Sequence, residues 1–300
     1  MVERYIRFLG LKQTKNLLIA NEKPLIPSIR VNTLKIEPNR LKIKLENKGF
    51  NFEPTTWFHY AFMVKHAPHN IGATHEFLQG YYYIQNLASM ACAPILDPQE
   101  DDVVIDMCAA PGSKATHLAQ IMKNSGTLIL IDFNPKRIPA LEINLRRLGI
   151  RNSVVINFDS KELPKLNVKA DKILLDSPCT GEGLIRQDPA RKKSKKLNDI
   201  EKMAQIQKLL LRSGLKTLKV GGKLLYSTCS IAPEENELII DSVLNKMKGY
   251  EIVKIPHQYG VDGFTEVYGK ILIDELRFSQ RIYPHIHDTI GFFFCLIEKK

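Results

Sequence analysis

Three places in the sequence set nucleophiles, carboxylates and small residues directly after short apolar runs. The first is Asp106-Met107-Cys108-Ala109-Ala110-Pro111-Gly112-Ser113-Lys114. Its small side chains and Gly112 let a ligand approach the backbone, and a helix starting there offers free N–H groups. Lys114 is followed by Ala115 and the glycine spacing is wrong, so this is not a Walker loop. It is not a G-x-G-x-x-G dinucleotide fingerprint either, and a tight turn with no ligand stays open. Asp132 closes the next apolar run, where a carboxylate either accepts both hydroxyls of a ribose or caps the following helix. Asp159 offers a further acceptor after the third run. No basic cluster lies in the turn, so these residues together describe a pocket for a nucleoside cofactor without a pyrophosphate.

The other two places each hold a cysteine: Asp176-Ser177-Pro178-Cys179-Thr180-Gly181-Glu182-Gly183 and Tyr226-Ser227-Thr228-Cys229-Ser230. If the runs before them are neighbouring strands, two thiols and the Asp176 carboxylate meet in one cleft. A buried free cysteine is ordinarily just a small hydrophobe. A thiolate is also a good nucleophile, and a helix N-terminus or a nearby cation such as Lys114 would lower its pKa.

The elements needed to position these groups follow from the apolar runs. Before residue 75 the chain reads as helix (Glu3 to Ile19), strand (Pro27 to Lys35), helix (Asn39 to Lys48, with Gly49 as its stop) and strand (Trp57 to Val64). That is a small α+β unit. After Gly80, runs at 102–108, 127–133, 153–158, 172–175 and 222–230 read as strands. They alternate with helical stretches at 115–122, 135–148, 200–218 and 233–247, and runs at 251–255 and 291–298 follow. Such alternation predicts an α/β fold with a doubly wound, mainly parallel sheet, whose ligands bind beyond the carboxyl ends of the strands. The expected division is an appendage over 1–75 and a catalytic domain over 76–300, and 300 residues suffice for both.

Composition excludes several other classes. Apolar residues make up 44% and charged residues 25%, an ordinary globular balance rather than a disordered one. No window approaches the roughly 18 unbroken apolar residues of a membrane span. The charged N-terminus is not a secretory signal. The five cysteines, Cys92, Cys108, Cys179, Cys229 and Cys295, include no C-x-x-C pair, so neither a disulfide framework nor a zinc site is expected. They read as reduced thiols in a cytosol, and His285 with His287 lacks the partners of a metal site. The net charge of +11 points to a polyanion, while a basic protein without such a partner stays open. Arg186, Arg191, Lys192, Lys193, Lys195 and Lys196 follow the Pro178-Cys179 turn, as phosphate contacts or as a solvated face.

The three chemistry-bearing stretches, with Pro233-Glu234-Glu235-Asn236-Glu237 after the last, resemble the NOL1/NOP2/Sun family. Ile29-Arg30-Val31-Asn32-Thr33-Leu34-Lys35, the Gly80 to Ser89 stretch, Arg281-Ile282-Tyr283-Pro284-His285 and Gly291-Phe292-Phe293 are similar to it as well, in the family's order along almost the whole chain. One departure is Ser113, where the family commonly has Gly; read as preceding the helix, it is a position that Ser fills well. The resemblance implies a Rossmann-like class I methyltransferase, of archaeal or bacterial type, that methylates cytosine C5 in RNA using S-adenosyl-L-methionine. It implies that Cys108 to Lys114 wrap that cofactor, Asp132 takes its ribose hydroxyls with Arg137 nearby, Asp159 meets its adenine, and Asp176 belongs to the cofactor-binding set as well. It further implies Cys229 as nucleophile, Cys179 as the thiol that helps release product, and Asp176 beside both. Lys114 joins them as a catalytic candidate, and residues 1–75 become an RNA-binding extension. The expected substrate is tRNA, with rRNA as the alternative, and the expected enzyme is a cytoplasmic monomer with no metal. Two other classes remain in view: a non-catalytic RNA-binding assembly factor, and a DNA cytosine methyltransferase with the Pro-Cys thiol as nucleophile. The second cysteine in Thr228-Cys229-Ser230 argues against the latter.

Overall fold

A computed structural model describes residues 1–194 and 196–300. The chain divides into two compact units, one of Ile26–Ser160 and one of Met1–Leu25 with Lys161–Lys300.

The Ile26–Ser160 unit opens with four antiparallel strands in the order Asn51–Pro54, Ala61–His66, Ser28–Val31, Tyr82–Ile84. The fourth strand lies past residue 75. One face of this sheet packs against the helix Pro38–Glu46, whose Leu41 and Leu45 join Ile29, Val31, Phe52, Phe62 and Tyr82 in a shared core. Pro38 starts that helix and the Glu37 carboxylate accepts from the Arg40 amide, an ordinary N-terminal cap. Three parallel strands then follow in spatial order, Val103–Asp106, Thr127–Asp132 and Ser153–Asn157. The helices Ser113–Ile121 and Ile138–Leu148 connect them, so each strand ends where a ligand-binding loop is expected. Pro135–Arg137 forms a separate 3-10 turn rather than the first turn of the second helix.

Two side chains of the Arg30-Val31-Asn32 stretch tie the small sheet to these helices. The Asn32 amide donates to the carbonyls of Gly80 and Leu148, and Arg30 donates to the Ser113 carbonyl and the Thr116 hydroxyl. Gly80 itself has φ +73°, and a Cβ there would lie 1.8 Å from the Arg147 carbonyl oxygen. Only a residue without a side chain fits.

In the other unit, Ala170–Asp176 and Leu218–Thr228 pair in parallel, Asp176 opposite Ser227. The rest of this sheet is antiparallel: Phe292–Lys299 lies on the far side of Leu218–Thr228, with Gln280–Ile282 and then Val261–Asp262 beyond it. Tyr250–Val253 also pairs with Phe292–Lys299. The sheet expected to be mainly parallel is therefore mixed, and a tight corner at Pro284–His287 rather than a crossover helix joins the antiparallel pair Gln280–Ile282 and Phe292–Lys299. The long helix Leu197–Thr217 buries Ile200, Ala204, Gln207, Leu211 and Leu215, one face at three- and four-residue spacing. The first helix, Val2–Asn21, is bent at Gly10 and packs Tyr5 and Leu17 against Ile231 and Tyr283.

Gly80→Ala combines a left-handed backbone with a Cβ driven into a carbonyl. It is expected to cost about 2–4 kcal/mol of stability, read as a lowered denaturant midpoint with an unchanged slope.

Candidate active site

Each unit gathers one set of the residues singled out in the sequence. In Ile26–Ser160 the turn after Val103–Asp106 is built by main-chain hydrogen bonds to buried polar groups. Asp106 accepts from the Cys108 amide, and the Ser160 hydroxyl donates to the Met107 carbonyl at 2.6 Å. Asp132, 3% exposed at the end of Thr127–Asp132, accepts from the Ala110 amide on one oxygen and the Asn134 amide on the other. Arg137 lies 3.2 Å from the same carboxylate and also donates to the Ala110 carbonyl. The Ala110–Pro111 peptide is cis, and Gly112 has φ +103° with Leu141 packed where a Cβ would stand. Gly112, not Ser113, caps the helix; Ser113 is its first residue. Cys108, Ser113 and Lys114 are half-buried while Ala109, Ala110 and Gly112 are buried. Lys114 lies near enough to Tyr83 for its charge to act on that phenol. Asp159 follows Ser153–Asn157 and is half-buried.

The second set stands in the other unit at the ends of the parallel pair. The Cys179 and Cys229 sulfurs are 3.2 Å apart. The Ser227 hydroxyl donates to the Asp176 carboxylate at 3.0 Å. Asp176, Cys179 and Cys229 keep partial exposure, whereas Ser177, Thr180, Ser227, Thr228 and Ser230 around them are buried. The flanking residues are enclosed while the three candidate groups keep some access. Gly183 closes the floor: its amide donates to the Cys229 carbonyl and its carbonyl accepts from the Gly291 amide. A Cβ on Gly183 would lie 2.2 Å from the Gly291 oxygen.

The lowered thiol pKa expected from the sequence is not what Cys179 has. Its hydrogen bond with the Cys229 sulfur pushes the thiol well above its ordinary range, and burial adds to that. Negative charge on Cys229, Glu235 and Asp176 works in the same direction.

The basic run also needs correction. Arg186 is buried; its guanidinium donates to the Lys23 and Pro24 carbonyls and pairs with Asp288 at 2.7 Å. It fastens the end of the first helix and is spent. Arg191 donates to the Thr180 carbonyl, bracing the Cys179 turn, and Lys192 pairs with Glu22. Lys193 and Lys196 are exposed, and Lys195 lies outside the described residues. Among the described residues no helix is long and apolar enough to cross a membrane, and no cluster of three or more His, Cys, Asp or Glu could hold a metal.

Sequence reasoning missed Glu235, Asn236 and Gln207, the buried groups that hold the two cysteine turns. The Pro233–Glu237 motif was visible as a pattern, but nothing in it announces what it touches.

Residues 93–298 match the family model described as 16S rRNA methyltransferase RsmB/F, and residues 1–87 match that of the N-terminal domain of 16S rRNA methyltransferase RsmF. The chain belongs to the RsmB/F methyltransferase family. It is 37% identical over 304 residues to the 28S rRNA (cytosine-C(5))-methyltransferase of Mus musculus, covering 100% of this chain and 38% of the mouse protein. It thus spans well under half the length of that relative. To the tRNA (cytosine(49)-C(5))-methyltransferase of Pyrococcus abyssi it is 36% identical over 301 residues, covering 100% of this chain and 95% of the relative. The crystal structure of NSun6 from Pyrococcus horikoshii with SFG superposes with a TM-score of 0.89 at 27% identity, covering 99% of this chain and 97% of that one. The α/β class I methyltransferase fold implied by the motifs is therefore that of this RsmB/F member, and the NOL1/NOP2/Sun resemblance holds.

A raised pKa keeps Cys179 protonated at pH values where an ordinary thiol has ionised. Its iodoacetamide alkylation, followed by peptide mass spectrometry, is expected to keep rising above pH 9. In Cys229→Ala, where the hydrogen-bonding sulfur is gone, that profile moves to lower pH.

Proposed function

We propose that this RsmB/F member transfers a methyl group from S-adenosyl-L-methionine to C5 of a cytosine in RNA, tRNA being the first substrate to test. The observation that carries the reading is the partly exposed pair Cys179–Cys229 at 3.2 Å with Asp176 alongside. A scaffold without turnover has no use for two reactive groups left open in a buried frame.

The turn at 108–114 fits the cofactor. A buried carboxylate stands at the end of the adjacent strand, Gly112 leaves main chain rather than side chain at the bend, and no basic cluster invites a pyrophosphate. In this reading Asp132 takes ribose hydroxyls on carboxylate positions left over from the Ala110 and Asn134 amides, with Arg137 beside it and Asp159 toward the adenine. When bound, S-adenosyl-L-methionine supplies an electrophilic methyl group. Cytosine C5 is too weak a nucleophile to take it unaided.

Addition of the Cys229 thiolate to C6 turns the ring into an enamine-like nucleophile at C5, while Asp176 hydrogen bonds or transfers a proton at N3. Once Cys229 is a thioether, its sulfur no longer carries the charge that held the Cys179 proton. Cys179 can then give its own proton to solvent and, as thiolate, take the C5 proton. The C5–H electron pair reforms the C5–C6 double bond as the C6–S bond breaks and Cys229 leaves as thiolate. None of these steps calls for a metal ion.

The target base has to be unstacked to reach such a cleft. Among the described residues of the basic run, the exposed Lys193 and Lys196 are suited to phosphate, Lys192 being exposed but paired with Glu22. An RNA-binding role for residues 1–75, a cytoplasmic location and a monomeric enzyme belong to the same proposal. An rRNA substrate is the second reading, favoured by the family description and the mouse relative. Methyl transfer to tRNA and rRNA transcripts, mapped by bisulfite sequencing, decides between them; transfer to neither overturns the proposal.

Two variants test the thiol roles. Cys229→Ala is expected to abolish methylation and form no covalent complex, whereas Cys179→Ala transfers the methyl group and stalls as a protein–RNA conjugate on a denaturing gel. The opposite pattern assigns the attack to Cys179. For the cofactor, Asp132→Ala is expected to weaken S-adenosyl-L-methionine binding by about tenfold or more, the cost of hydrogen bonds to a charged acceptor, with RNA binding retained. Unchanged affinity by calorimetry would remove that assignment.

A further inference from the structure

Pro233-Glu234-Glu235-Asn236-Glu237 has no part in the chemistry above, yet two consecutive members of it reach both cysteine turns. Glu235 is fully buried. One of its oxygens accepts from the Thr180 amide at 2.8 Å and from the Gln207 amide at 3.3 Å; the other accepts from the Thr180 hydroxyl at 2.6 Å. Gln207 also donates to the Pro178 carbonyl at 2.9 Å. Both residues flanking Cys179 are thereby tied to one carboxylate.

Asn236, also fully buried, does the same for the other thiol. Its side-chain oxygen accepts from the Thr228 hydroxyl at 2.6 Å and its amide donates to the Ser230 carbonyl at 2.9 Å. Both residues flanking Cys229 are tied to one carboxamide. The frame is fixed at its two ends. The Tyr226 hydroxyl donates to the Glu235 carbonyl, and the fully buried Glu237 accepts two hydrogen bonds from Arg281.

We propose that Glu235 and Asn236 are paired positioning residues that set the spacing of the two thiols, Glu235 through the Cys179 turn and Asn236 through the Cys229 turn. A single peptide bond joins the two holds, so the distance between the turns is referred to one rigid unit. The donor pattern makes each side chain specific. Three donors converge on the Glu235 carboxylate, and glutamine would present an amine to at least one of them. The Asn236 amine faces a carbonyl, and aspartate would set two acceptors against each other.

The kinetic part of this inference rests on the methyl-transfer reading, and the thiol part does not. Two isosteric variants, Glu235→Gln and Asn236→Asp, are compared with wild type in two assays. The first is cross-linking of Cys179 to Cys229 by the thiol-bridging reagent dibromobimane, which requires the spacing but no RNA and no cofactor. Its rate is expected to fall about tenfold in either variant, the factor for one buried hydrogen bond left unmade, while the folded circular-dichroism spectrum is kept. The second is the covalent conjugate with substrate RNA and S-adenosyl-L-methionine. Glu235→Gln is expected to accumulate it, because release through Cys179 is slowed, and Asn236→Asp to form less of it, because attack by Cys229 is slowed.

Bridging at the wild-type rate in both variants overturns the proposal. Loss of conjugate in both alike reduces the two residues to stability elements and overturns it as well. If wild type forms no conjugate on any RNA, the methyl-transfer reading fails while the bridging result still decides the positioning role. Should either variant not fold, Thr180→Val and Thr228→Val remove one hydroxyl from each link, and the same opposed pattern is required of them.

Discussion

The parallel pairing of Ala170–Asp176 with Leu218–Thr228 sets Asp176 beside Ser227, and the rest of the thiol site depends on that register. Two strands running the same way end at the same edge, so a turn leaving each can deliver a side chain to one point. Slipping the pairing by one residue would turn every side chain to the opposite face and carry Asp176 away from the Ser227 hydroxyl. The antiparallel strand Phe292–Lys299 on the far side of Leu218–Thr228 buries that strand between two neighbours. This fixes the register by hydrogen bonds on both edges.

Around this pairing the protein buries an unusual quantity of polar matter. Glu235, Asn236, Gln207, Thr228, Ser230, Glu237 and Arg281 are all nearly inaccessible. Leaving one of their partners unmade costs about 1–3 kcal/mol, so such a network is favourable only when complete. Among these residues only the Gln207 side-chain oxygen is left without a partner, and the bonds that are made hold the two turns stiffly. A set of apolar side chains of the same volume would fill the space without dictating where each turn lies. The Arg281–Glu237 pair shows the same logic: as a buried ion pair it adds little net stability, but it admits few alternative arrangements.

The site's ingredients were legible because they stand at strand ends marked by proline and glycine. Asp176, Cys179 and Cys229 could be placed together as soon as the two apolar runs were taken as neighbours. The short strands Gln280–Ile282 and Val261–Asp262 could not be read, since two or three residues carry no period, and with them went the antiparallel half of the sheet. Arg186 looked like one charge among six, and its burial depends on the carbonyls of Lys23 and Pro24, far away in sequence. Glu235 acts on Thr180, 55 residues distant, so its role is invisible to any local window. The direction of the Cys179 shift is invisible in sequence for a related reason. Composition supplies a nearby cation, but only geometry reveals that the nearest group is another thiol.

The contact between Gly183 and Gly291 has a consequence for how this cleft can change over evolutionary time. Main chain meets main chain there, directly beneath the Cys229 carbonyl, with no side chain from either residue. Lineages cannot explore new shapes of this surface by exchanging one amino acid for another, because every exchange adds atoms where none fit. Compensating pairs are closed off too, since both partners are already the smallest residue. Room for change in the cleft's shape is thereby confined to the rim, where side chains rather than main chain form the surface.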